Sequence, residues 1–326
     1  MTQRDIRPWG FWTQAKLRIL GDYLPEFLRA SSGRADEFVY LDAFAGEGRG
    51  RDNITGQTFE GSARIALDTD VAGGFTRLRY FEREGKAEEL ERQLRADYPG
   101  RDIRVYGGDC NTNIPQALAE LRHLNWAPTF AFVDPDGMEF RWSTLEALAT
   151  HKLGYGAPSR RKREYKVELW ILFPTQGLIR TLALDPTKVS EADKRRATRL
   201  FGCEDWRPIY ERRRDELLTP AEAKDEYVNL MRWQLEEDLG YATTHALELK
   251  NTRGGTLYHM VFATDSDAGE KIMSHLYKRA AAELPDMLRE AREQRAGQGV
   301  LELGIVGATP DVTYEYVPPR RPPDPL

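Results

Sequence analysis

A doubly wound α/β fold, with a mostly parallel sheet ending in an antiparallel hairpin, follows from three features of the 326-residue sequence. Strand-length apolar runs alternate with helix-length segments from residue 38 to about 175, the pattern of strand–helix–strand units. Each of the first four runs leads into an acidic residue: Asp42, Glu82, Asp109 and Asp134. The first also opens a glycine turn, Asp42-Ala43-Phe44-Ala45-Gly46-Glu47-Gly48. Such a turn lets side-chain-free backbone approach a ligand closely, and right-handed crossovers gather the strand ends on one edge of the sheet.

In chain order, 12–28 reads as an amphipathic helix, with Ile19, Leu20, Tyr23, Leu24 and Phe27 at helical spacing and Pro25 predicted to bend or interrupt it. Strands are expected at 38–44, 78–82, 103–109, 129–135 and 167–174. Helices should follow at 62–67, where Ser62 suits an N-cap, and at 86–98. Two more are expected at 115–123, where Pro115 suits a first turn, and at 144–151. A charge-rich helical stretch covers 187–239. The runs 243–250 and 257–264, joined by Asn251-Thr252-Arg253-Gly254-Gly255, read as a hairpin, and 266–284 as a helix. From residue 310 six prolines predict an extended tail rather than a packed element. The implied organisation is a helical cap (1–35), a ligand-binding core (36–175), a helical insertion (176–240), a closing hairpin and helix (241–300) and a Pro-rich tail (301–326).

Composition narrows the class. Forty percent hydrophobic and 30% charged residues suit a globular protein with a sizeable core. No apolar stretch approaches membrane-spanning length and no signal-peptide core opens the chain, so a cytoplasmic location is expected. Two cysteines, Cys110 and Cys203, cannot build a disulfide framework, and the five histidines show no metal-ligand spacing, so no metal site is assigned. A net charge of −5 argues against a protein that coats nucleic acid. The basic run Arg160, Arg161, Lys162, Arg163 with Lys166 is the one candidate phosphate surface.

Four carboxylates on one edge need donors. S-adenosylmethionine (SAM), with a sulfonium, an ammonium, ribose hydroxyls and an adenine amine, answers them better than a pyrophosphate, which wants free backbone N–H groups and a basic residue. Asp42, Phe44, Ala45, Gly46 and Gly48 are therefore assigned to the methionine end, Glu82 to the ribose, and Asp109, Cys110 and Asn111 to the adenine. Cys110 reads as pocket wall, because no histidine lies near it in sequence to activate a nucleophile. Glu82 follows Asp42 at twice the usual spacing of about 20 residues, because a polar loop at 49–60 is inserted, long enough to act as a lid. Asp134-Pro135-Asp136-Gly137 stands where amino-methyltransferases carry Asp/Asn-Pro-Pro-aromatic. Asp134 and Pro135 would border the acceptor, with Phe140 or Trp142 substituting for the lost aromatic, and Lys16 on the first helix is the further catalytic candidate.

The chain resembles the three-Cys-motif partner protein family, a branch related to class I SAM-dependent methyltransferases. The resemblance lies in Trp12, Lys16, Leu20 and Tyr23, in Asp42 to Gly48, in Gly61-Ser62, in Gly108-Asp109-Cys110-Asn111 and in Phe132-Val133-Asp134-Pro135-Asp136-Gly137. Later come Phe201-Gly202 with Trp206, and Leu257-Tyr258-His259-Met260-Val261-Phe262-Ala263-Thr264. It implies a SAM-binding, Rossmann-like methyltransferase fold and a protein partner that carries the three cysteines. Methyl transfer to an unidentified acceptor, nucleic acid ahead of protein, is the expected activity. An accessory protein without turnover is the alternative, and an acidic-edge nuclease the third.

Overall fold

The computed structural model describes residues 8–9, 11–52, 56–152, 165–251, 254–297 and 314–323. Seven strands form one sheet: β1 Val39–Asp42, β2 Arg77–Glu82, β3 Ile103–Gly107, β4 Thr129–Val133, β5 Glu168–Phe173, β6 Thr243–Lys250 and β7 Thr256–Thr264. Their order is β3-β2-β1-β4-β5-β7-β6. β1 to β5 are parallel, and β7 lies antiparallel between β5 and β6. An all-parallel dinucleotide-binding sheet runs 3-2-1-4-5-6. The reversed strand inserted beside β5 makes this a class I methyltransferase-like, Rossmann-like α/β fold.

Strand composition explains the layering. β4 and β5 are buried at every position, as central strands covered on both faces must be. Successive residues serve opposite faces. Tyr40, Phe130, Phe132 and Trp170 pack with α1 Phe11–Ser32, α2 Ser62–Asp68, α3 Glu84–Asp97 and α10 Asp267–Gly297. Leu41, Ala131, Val133 and Ile171 pack with α4 Cys110–Glu120, α5 Trp142–Thr150 and α6 Thr175–Thr181. The same face takes α7 Glu191–Phe201, α8 Trp206–Arg214 and α9 Pro220–Glu237. Capping boxes, Ser190 with Asp193 and Thr219 with Glu222, start α7 and α9 by satisfying first-turn N–H groups.

Several expectations are corrected. α1 is continuous through Pro25. Ser62 is the first residue of α2, and Gly61 holds the cap position without a side-chain bond. α4 starts at Cys110 rather than Pro115, because the Asp109 carboxylate accepts the Asn111 N–H and nucleates the helix upstream. α10 extends to Gly297. Within the polar loop 49–60, Arg49–Asp52 pairs antiparallel with Thr58–Glu60 and parallel with Pro8–Trp9.

Residues 314–323 have no regular structure but are docked, contrary to the expectation of an unpacked tail. Asn229 donates to the Arg320 carbonyl at 2.8 Å and accepts its N–H at 2.9 Å, while Arg232 donates to the Val317 carbonyl at 2.8 Å. Tyr314 meets Tyr277 edge-on and bonds His245. Among the described residues no helix is long and apolar enough to cross a membrane.

Candidate functional site

The carboxyl ends of β1 to β4 converge on a cleft of about 250 Å³. It lies where the crossovers switch between faces of the sheet, the place at which open α/β sheets take ligands. The turn after β1 is tied to both neighbouring strands: the Ala43 N–H donates to the Phe132 carbonyl at 2.9 Å and the Ala45 N–H to the Phe81 carbonyl at 3.0 Å. Gly46 (φ 63°) and Gly48 (φ 72°) are left-handed, a conformation glycine adopts without strain. A Cβ on Gly48 would press on Leu90 Cδ1 at 3.1 Å, whereas Gly46 lines the cleft and a Cβ there would meet no protein atom within 4 Å.

Glu82 closes the turn. One of its oxygens accepts the Gly46 N–H at 2.8 Å and the other the Arg83 N–H at 3.0 Å. The carboxylate keeps lone pairs for hydroxyl donors in the cleft, which Glu82 lines.

Asp42 takes a different place from the one expected of a ligand contact. It is fully buried and outside the cleft lining. Its oxygens accept the Phe44 N–H and the Tyr40 hydroxyl, both at 3.3 Å, with a further bond from Ser62. Burial pushes its carboxyl up to about 7, against the opposing Ser62 bond and with help from the Asp134 charge. Asp42 braces the turn from beneath. Phe44 and Cys110 line the cleft, whereas Ala45, Gly48, Asn111 and Pro135 are not among its lining residues.

The Asp109 carboxylate serves the α4 cap, accepting from Asn111 N and Nδ2 at 2.9 and 2.8 Å and pairing with Arg141 at 3.0 Å. It also lines the cleft. Burial, then the Asp109 charge, pushes the Cys110 thiol up to about 12, which suits pocket wall rather than nucleophile.

Lys16 and Asp134, 118 positions apart, form a salt bridge. The Lys16 side chain is 4% exposed and that of Asp134 13%. A buried ammonium needs such a partner, and α1 is thereby fixed against the end of β4. Phe140 meets Phe44 edge-on at 6.1 Å, and Trp142 is buried beneath Gly202. Neither is an open stacking surface. The half-buried Tyr258 on β7 faces the charges of Asp134 and Asp136, and its hydroxyl is held above its usual pKa by burial and then by those two carboxylates. No local pattern marks Tyr258, because only the antiparallel insertion of β7 beside β5 carries it there. Glu47 and Lys86, also in the lining, had a signal: an acid between the two glycines, and a lysine one helical turn beyond Glu82.

Six carboxylates (Glu47, Glu82, Asp109, Asp134, Asp136 and Glu139) and two cations, Arg83 and Lys86, line the cleft. Lys166 precedes β5, at the opposite edge of the sheet, and its ammonium is held by Asp265 at 3.2 Å and the Gly240 carbonyl at 2.7 Å. That corrects its expected availability to phosphate. Arg160, Arg161, Lys162 and Arg163 lie outside the described residues. Among the described residues no group of three or more His, Cys, Asp or Glu side chains is placed to hold a metal.

No protein-family model matches the chain, and no curated protein does. Solved structures similar to it include a Legionella pneumophila protein of family DUF519, with TM-score 0.45 and 11% identity over 82% of this chain and 91% of that one. A DUF574 family protein from Streptomyces avermitilis gives TM-score 0.33 and 12% identity over 77% of this chain and 82% of that one. Both likenesses are too distant to carry a residue's role across.

Proposed function

We propose that the chain is a SAM-dependent methyltransferase that holds its cofactor in the cleft at the ends of β1 to β4. The observation that carries this reading is charge. Six carboxylates face Arg83 and Lys86 in the lining and Lys16 and Arg141 paired behind Asp134 and Asp109. The remaining negative excess would repel a pyrophosphate and attract a ligand rich in positive charge and donors. The donor set of SAM fits a lining so rich in acceptors.

When bound, SAM supplies an electrophilic methyl group on a positively charged sulfur. The protein's contribution is positioning. Gly46 leaves room beside the turn, Glu82 accepts from the ribose hydroxyls, and Asp109 with Cys110 bounds the adenine end. Asp42 holds the turn in place. Asp134, fixed by Lys16, orients the acceptor's N–H, with Pro135 behind it and Tyr258 beside it. Nucleic acid as the acceptor rested on the basic run. With Lys166 engaged and the lining acidic, support shifts to an amine on a protein or small molecule. The resemblance to three-Cys-motif partner proteins supports a cysteine-containing partner, and it keeps binding without turnover as the second reading.

Calorimetric titration with SAM and S-adenosylhomocysteine tests the proposal. Saturable binding is expected in the wild type and should be lost in Gly46→Ala, whose stability falls only by the strain of a left-handed alanine, about 1–2 kcal/mol. A folded wild type that binds neither ligand overturns the assignment. Asp134→Asn should keep SAM affinity within a few fold while removing methyl transfer. A parallel fall in affinity would move Asp134 to the cofactor side.

A further inference from the structure

Glu226, Asn229 and Arg232 are spaced three apart along one face of α9, and they hold the segment 314–323 in an order that runs against the helix. Arg232 donates to the Val317 carbonyl at 2.8 Å. Asn229 donates to the Arg320 carbonyl at 2.8 Å and accepts the Arg320 N–H at 2.9 Å, and Glu226 pairs with the Arg320 guanidinium. Glu226 is 8% exposed and Arg232 9%, a burial that charged side chains accept only with partners. Arg232 is fixed from behind by the Thr244 carbonyl of β6, also at 2.8 Å.

β6 supplies the other end of the seat. The Tyr314 hydroxyl bonds His245 Nδ1, and its ring meets Tyr277 edge-on at 5.5 Å. The Tyr316 ring lies 4.8 Å from that of His245 and 5.9 Å from the Arg232 guanidinium. Between the tyrosines and Arg320 few side chains are read: Val317 is 61% exposed, and Glu315 and Pro318 are exposed as well. The bonds from Asn229 and Arg232 go to main-chain groups that any extended segment carries, and prolines hold such a segment extended in advance. β6 ends the sheet on the side away from the cleft, so a ligand seated here leaves the cleft free.

We infer that the α9–β6 face is an interaction surface for proline-rich segments of other proteins that carry tyrosine at one end and arginine at the other, and that residues 314–323 are its resident ligand. The pattern it reads is Tyr-x-Tyr-x-Pro-Pro-Arg, with positions 315 and 317 free. Being part of the same chain, the resident competes with the advantage of a tethered ligand. A partner segment of this chemistry takes the same seat.

Fluorescence anisotropy tests the surface with a labelled peptide of residues 314–323 carrying Val317→Ser, a change at a free position that makes it foreign to the chain. The full-length double variant Tyr314→Ala, Arg320→Ala weakens the resident, and the peptide should bind it roughly tenfold or more tighter than it binds the wild type. Adding Asn229→Ala to that variant should remove the gain, and so should Arg320→Glu in the peptide. The wild type gives a readout that depends on no variant folding. Excess peptide should speed hydrogen exchange at the Arg320 amide of the chain, which the serine distinguishes by mass from the peptide. Equal binding by wild type and double variant, or a gain insensitive to Asn229→Ala, overturns the inference. So does an Arg320 amide that stays protected in excess peptide. A peptide that binds with the native valine and not with serine makes the segment a private strap of this chain, which overturns the partner reading.

Discussion

A carboxyl group sealed beneath a backbone turn is uncharged over a wider pH range than one in water. Asp42 ionises at about 7 in the folded protein, against an ordinary 3.8. Between those values the folded state keeps a proton that the unfolded chain releases. The Asp42 contribution to stability therefore declines as pH rises from about 4 to about 7 and is constant above that. Its full extent is up to about 4 kcal/mol. Asn at this position keeps an acceptor for the Phe44 N–H and has no charge to bury. The melting temperature of Asp42→Asn relative to wild type should climb across that interval and level off above it. A difference that does not change with pH would contradict the burial argument. At this scale the sequence located the acids, because each stands where an apolar run stops. It did not orient them. Ser62 and Tyr40 hold Asp42, and Lys16 holds Asp134, and no spacing rule couples such positions.

At the scale of elements, periodicity was enough to find strands and helices, and local chemistry moved their ends. The cap formed by Asp109 outranked the preference of proline for a first turn, so Pro115 lies within α4. The tail was misread for a related reason. Its prolines predict extension, and residues 314–323 form no regular element, but their docking depends on Asn229, Arg232 and His245, all distant in sequence. Ending the chain at residue 313 should lower the urea midpoint, since it removes the Tyr314 contact with Tyr277 and the backbone bonds at Val317 and Arg320. Asn229→Ala should cost about 1–2 kcal/mol for its two bonds to Arg320. A shortened chain as stable as the full one would make the tail a passenger. Adding the 314–323 peptide should restore part of the loss.

At the scale of the molecule, the doubly wound sheet and its closing hairpin were legible because handedness and strand alternation leave few topologies. The covering of each face was not. α7 to α9 close one face through Phe201, Trp206 and Tyr227, and α10 joins α1 on the other. Those pairings are decided by shape and volume, which no periodicity records. The pairing of the first helix with the last has a consequence for synthesis. Asp22 finds its partner Arg279 only 257 residues later. At roughly 5–20 residues per second, α1 leaves the ribosome roughly 10–50 s before its cover exists. Until then the side of α1 bearing Ala15, Arg18, Ile19 and Asp22 lacks the last helix it packs beside. Ribosome-stalled chains ending before residue 267 should therefore be cut within α1 by protease and retained by chaperones, and chains that have released α10 should not.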